Sequence, residues 1–167
     1  MRVLGIDPGT LVVGVGVIEL APRGPQFVAC HAIRAPRDAA VPVRLLRIHD
    51  ALAAWIQRYE PSAIAVERVF VGKSTPSAIR IGEGRGVALL CAARSGSPVF
   101  EYPPAEVKRA IAGFGAADKS QMAAWVARLL GLKEAPKPHD AADALAIALT
   151  HAHRMHRNRG LGGNLTA

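Results

Sequence analysis

The chain reads as an α/β fold, a sheet of mixed strand direction with helices on both faces. Three patterns in the 167 residues point there. Three apolar runs open the chain, split only by short Pro- and Gly-bearing turns, as in antiparallel neighbours. Two further short apolar runs, at 63–66 and 98–102, alternate with stretches of helical period, as in a buried parallel arrangement. The last long segment, 139–155, is Ala- and Leu-rich nearly all round, the signature of a helix lying inside the protein.

In order, Val3-Leu4-Gly5-Ile6 and Val12-Val13-Gly14-Val15-Gly16-Val17-Ile18 flank the turn Pro8-Gly9 and form a hairpin. Pro22 to Pro25 turns the chain into a third strand at 26–33. A helix follows at 41–59, its apolar Leu45, Ile48, Leu52, Trp55, Ile56 and Tyr59 keeping the 3.6-residue period until Glu60-Pro61-Ser62 stops it. The strand at 63–66 ends in Glu67. A helix over 77–94 carries Gly82, Gly84 and Gly86, which weaken a helix and imply close backbone approach to something. This spacing is not a dinucleotide fingerprint, since no strand leads directly into it. After the strand at 98–102, Pro103-Pro104 opens a helix through Ala112. Asp118 caps another to Leu130, with Met122, Trp125, Val126 and Leu129 inward. Residues 1–155 form one domain, and 156–167 a basic, Gly-containing segment expected to be a mobile tail.

Composition narrows the class. Half the residues are hydrophobic and 20% charged, so the chain folds rather than staying disordered. Lys plus Arg number 21 against 13 Asp plus Glu, a net charge of +8, which suits a polyanionic partner, nucleic acid before an acidic membrane surface. Cys30 and Cys91 show no CxxC spacing and read as reduced packing residues. No signal-peptide pattern or bilayer-length apolar run occurs, so a cytosolic location is expected.

Acidic residues stand out against this background. Asp7 and Glu67 each close an apolar strand, and Asp140 and Asp143, three apart, share a face in the first turn of the last helix. Asp7 has two readings: it opens the Pro-Gly turn by accepting from Gly9 or Thr10 amides, or it belongs to a metal or phosphate site. The Asp140–Asp143 pair likewise suits the helix dipole, yet a helix buried all round aims its acidic end inward. Four inward carboxylates repel unless cations lie between them, and oxygen-only ligands favour Mg²⁺ or Mn²⁺. His151 and His153, two apart on a helix, diverge and make no metal pair.

These segments resemble one family. Gly5-Ile6-Asp7-Pro8-Gly9-Thr10 with Gly14-Val15-Gly16-Val17, then Ala65-Val66-Glu67-Arg68-Val69-Phe70, then Asp140-Ala141-Ala142-Asp143-Ala144-Leu145-Ala146-Ile147-Ala148 are similar to the RuvC Holliday junction resolvases. The likeness runs to about His153 and takes in Gly84-Arg85-Gly86-Val87-Ala88, Val99-Phe100-Glu101-Tyr102 and Asp118-Lys119-Ser120-Gln121. It implies a ribonuclease H-like fold and a homodimer. It also implies metal-dependent, symmetric nicking of two like-polarity strands at a four-way DNA junction, in recombination and repair, and the junction-migration proteins RuvA and RuvB as partners. By motif position Asp7, Glu67, Asp140 and Asp143 would be catalytic carboxylates holding two Mg²⁺ or Mn²⁺ ions, spaced about 4 Å in such sites. Asp7 would bridge them, and His139, directly before Asp140, would be a supporting group or an alternative ligand. Lys108 and Lys119 match basic positions near the site, and Phe70 an aromatic that meets junction DNA. Phosphate contacts are expected from Lys73, Arg80, Arg85, Lys108, Arg109 and Lys119. The helix over 77–94 is the expected dimer face.

Other readings start from the same residues. Asp-x-Gly-Thr after a strand also occurs in actin-like kinases, which need two such domains. A resolvase-like nuclease acting on RNA shares the first motif. A non-catalytic junction binder would gain nothing from four clustered carboxylates beside DNA.

Overall fold

The computed structural model describes residues 1–68 and 75–162. Its elements are β1 (Arg2–Asp7), β2 (Val12–Ala21), β3 (Gly24–Arg34), α1 (Val41–Tyr59), β4 (Ala63–Glu67), α2 (Thr75–Arg94), β5 (Val99–Tyr102), α3 (Pro104–Ala112), α4 (Lys119–Leu129) and α5 (His139–Gly162). The strands form one sheet in the order β3-β2-β1-β4-β5. β1, β2 and β3 are antiparallel in succession, while β4 runs parallel to β1 and β5 parallel to β4.

Alternation along the strands sorts their side chains into two cores. Leu4, Ile6, Val15, Val17, Ile64 and Val66 meet α1 and α2 residues such as Ile48, Leu52 and Ala88 on one face. On the other, Val3, Ile18, Ala65 and Tyr102 meet α3, α4 and α5, through residues such as Val107, Val126, Leu145 and Leu149. Helices thus cover both faces. No helix among the described residues is long and apolar enough to cross a membrane.

The contact between α5 and the sheet is made by glycine. A Cβ on Gly5 would lie 2.0 Å from the carbonyl oxygen of Ala144, one on Gly14 1.9 Å from that of Asp140, and one on Gly16 2.8 Å from the Leu145 side chain. With no side chain beneath it, α5 rests its backbone on β1 and β2. The glycine-rich stretch of α2 does the same at one position. A Cβ on Gly84 would meet the carbonyl oxygen of Gly9 at 2.4 Å, whereas Gly82 and Gly86 face open space.

Helix ends follow local chemistry. Pro stands at the first turn of α1, and Glu60 closes it in the left-handed region at φ 44° before Pro61 bars continuation. Asp118 and Gln121 form a reciprocal capping box on α4, with bonds of 2.8 and 3.0 Å. α5 differs from its expected end near Met155 and runs to Gly162. No proline follows Met155, and the helix passes through Gly160, so backbone bonding outlasts the apolar face.

Cys30 is half-buried and Cys91 buried, both as free thiols. Trp55 and Trp125 pack against the two cores at their margins, each partly buried. His151 and His153 diverge. His151, 2% exposed, meets the Tyr102 hydroxyl through Nδ1 at 2.7 Å, while His153 Nδ1 faces the Ala110 carbonyl on α3.

Candidate active site

The four singled-out carboxylates converge at one end of the sheet. β1 and β4 pair in parallel up to Ile6 and Val66, so the next residues, Asp7 and Glu67, leave the two strands side by side. Asp7 also faces Gly14 across β2. Because Gly14 lacks a side chain, the first turn of α5 drops onto that spot and brings Asp140 and Asp143 to Asp7.

The electrostatics record this convergence. Burial pushes the Asp7 carboxyl up to about 8, and Glu67, Asp143 and Asp140 add like-charge repulsion that Lys119 only partly offsets. Burial also raises Asp143, against the pull of Lys119 and of His139. Lys119 stands at the start of α4 with Nζ 3.6 Å from Asp143 Oδ2, its side chain three-quarters exposed. The turn reading of Asp7 gains no support, since no hydrogen bond to its carboxylate occurs among the described residues. The donor set is all oxygen apart from the exposed imidazole of His139, and its summed charge suits a hard divalent cation. Among the described residues no three such side chains lie within one ion's reach.

The basic positions divide. Lys119 is at the carboxylates. Arg80 is exposed on α2, one turn before Gly84, the residue seated on the Gly9 carbonyl beside Asp7. Lys108 is half-buried on α3. Arg109 stands apart, lining a cleft with Arg154 and Arg157 near the far end of α5, about 20 Å along that helix from Asp140. Arg85 is tied down, its guanidinium donating to Glu101 Oε2 on β5. Phe70 and Lys73 lie outside the described residues.

The family model described as "Crossover junction endodeoxyribonuclease RuvC" matches residues 3–151, from β1 through most of α5. The chain belongs to the RuvC family. A RuvC of Desulfitobacterium hafniense is 47% identical over 167 residues, covering 99% of this chain and all of that one. Thermus thermophilus RuvC superposes with a TM-score of 0.86 at 38% identity, covering 95% of this chain and 97% of that one. The same RuvC in complex with Holliday junction substrate matches at a TM-score of 0.87 and 38% identity, over 95% of this chain and 96% of that one. The ribonuclease H-like expectation for the fold holds, as does membership of the endodeoxyribonuclease family.

Two features of this RuvC-family site escaped the sequence reading. Gly5, Gly14 and Gly16 set how close α5 comes; their position inside apolar strands, where glycine is unfavourable, was the available signal. Glu101 pairs with both Arg85 and Arg68. That contact joins three elements distant in sequence and left no local trace.

Proposed function

We propose that the chain is a metal-dependent resolvase of four-way DNA junctions, with Asp7, Glu67, Asp140 and Asp143 as its metal-holding carboxylates. One observation carries the reading: Asp7 sits at the strand end where Glu67, Asp143 and Asp140 converge, and burial together with their like charge pushes its carboxyl up to about 8. A protein gains nothing from that crowding unless cations relieve it. The place of Asp7 on the central strand, between Glu67 and the α5 pair, suits the shared ligand of two ions, Mg²⁺ or Mn²⁺.

Divalent ions held there would supply an activated water and neutralise charge on the phosphodiester. The protein's own residues do the rest. The four carboxylates fix the position at which a phosphate must sit, at the open end of the sheet. Lys119, near Asp143 but largely in solvent, adds a mobile positive charge against the phosphate as negative charge develops. The packed sheet and α5 keep these groups from drifting, since both backbones are in contact.

Supporting the junction as substrate are the family itself, the net charge of +8 and the Thermus relative bound to a Holliday junction. Two like cuts require two sites related by two-fold symmetry, hence a dimer. Val43 and Leu46 of α1 with Ile79 and Leu90 of α2 are each more than half exposed, an apolar face suited to it. Action beside RuvA and RuvB in the cytoplasm completes the proposal.

The test is incubation with a labelled synthetic four-way junction and a matched linear duplex, in Mg²⁺, Mn²⁺ or EDTA. Paired nicks confined to the junction, and only with metal, are expected. Binding without nicking in either metal would mean a structural junction binder; nicking of the duplex would mean a general nuclease.

A further inference from the structure

We propose that Arg68 is a phosphate-contacting residue of the DNA site, and that Glu101 is the positioning residue that presents it. The inference rests on the junction-cleaving reading above and extends it to a pair of residues that reading does not use. Arg68 follows Glu67 directly, at the mouth of β4. Its backbone N–H donates to the Tyr102 carbonyl at 2.8 Å, so the main chain there is fixed to β5. Its side chain is biased towards Glu101 by an ion pair, with Nε 3.7 Å from Oε2, while 56% of its surface stays in solvent.

Glu101 is shared. The same oxygen accepts from the Arg85 guanidinium, brought in by α2. One carboxylate between two guanidiniums leaves a net positive charge, and the arrangement decides where it appears. Arg85 is the more enclosed partner, with its Nε buried and unbonded. Arg68 is the exposed one, and its terminal nitrogens donate to nothing among the described residues. Among the described residues the charge that Glu101 leaves over therefore lies on Arg68, one residue from a metal-holding carboxylate, with its terminal nitrogens open to a phosphate oxygen. Surface pairing for stability alone would not explain this, because an exposed pair at 3.7 Å adds little and would not need a third charge.

The experiment uses the full chain and a labelled four-way junction, with binding measured in EDTA across a salt series and nicking measured in Mg²⁺. For Arg68→Gln, the slope of log affinity against log salt is expected to lose about one unit, with a several-fold rise in Kd. For Glu101→Gln the protein gains a positive charge, yet the same losses are expected, because Arg68 is no longer held. Tighter or unchanged binding with an unchanged slope for Glu101→Gln would overturn the positioning role. An unchanged slope for Arg68→Gln would overturn the contact itself, and as a surface change this variant decides even if Glu101→Gln folds poorly. A wild type that neither binds nor nicks the junction would be a different failure, that of the junction reading, and would take this one with it.

Discussion

The carbonyl oxygen of Asp140 lies where a side chain on Gly14 would begin, 1.9 Å from the position of its Cβ. The first turn of α5 and the start of β2 are in backbone contact at the residue that faces Asp7. Gly14→Ala is expected to lift that turn away. Overpacking of this kind costs about 1–3 kcal/mol. Since the displaced turn carries Asp140 and Asp143, junction cleavage should fall more steeply than thermal stability. A melt and a single-turnover nicking assay on the same preparation check both.

Asp7→Asn is expected to abolish cleavage while junction binding persists. Gel-shift and nicking assays run side by side test it, and cleavage at a near-normal rate would remove Asp7 from the catalytic set.

The same variant has a signature without metal. In the folded chain Asp7 keeps its proton up to about pH 8, whereas unfolded it releases it near 3.8. The folded state therefore binds the extra proton between those values, and stability falls as pH rises through that window, by at most about 1.4 kcal/mol per pH unit. In EDTA, Asp7→Asn should match the wild type near pH 4 and become increasingly more stable towards pH 8. Urea midpoints at several pH values measure the difference. Adding Mn²⁺ should favour the wild type again.

Lys119→Met separates catalysis from folding. The pair with Asp143 is exposed on the lysine side, so stability should change by less than about 1 kcal/mol. Loss of a positive charge beside the phosphate should lower the nicking rate ~10-fold or more. Denaturation and single-turnover kinetics together give the two numbers.

Tyr102→Phe leaves the backbone pairing of Tyr102 with Glu67 in place and removes only a hydroxyl. It removes the 2.7 Å partner of His151 Nδ1, whose Nε2 is already buried without one. A loss of about 1–3 kcal/mol is expected in urea denaturation. Burial lowers the pKa of His151, so the unfolded chain takes up a proton first as pH falls below about 6.5. Stability from this group is full above that point and lost on acidification, a slope that His151→Leu should remove.

The carboxylates were legible because each breaks a local rule. Asp7 and Glu67 are charges ending apolar strands, and Asp140 and Asp143 head a helix with almost no polar face. The strand directions followed from turn length, and the Asp118 cap from its side chain three residues before Gln121. What did not show was set by approach between distant segments. The Gly84 contact with Gly9 was foreseen only as some close approach, and its two neighbouring glycines make none. Nothing local shows that Arg85 is paired, because its partner Glu101 comes from β5. Charge alone does not place Arg109, which lines a cleft with Arg154 and Arg157 at the other end of α5 from the carboxylates.

The glycine floor under α5 divides the molecule into two regimes of sequence change. On the α1–α2 face, Ile48, Leu52, Ile64 and Val66 fill volume with side chains, and losses at one can be made good at another. On the α5 face at Gly5 and Gly14 there is no volume to exchange, because backbone meets backbone. Carboxylate spacing is thereby insulated from drift in the rest of the core. Changes in the opposite layer leave the distance between β1 and α5 at the thickness of two main chains.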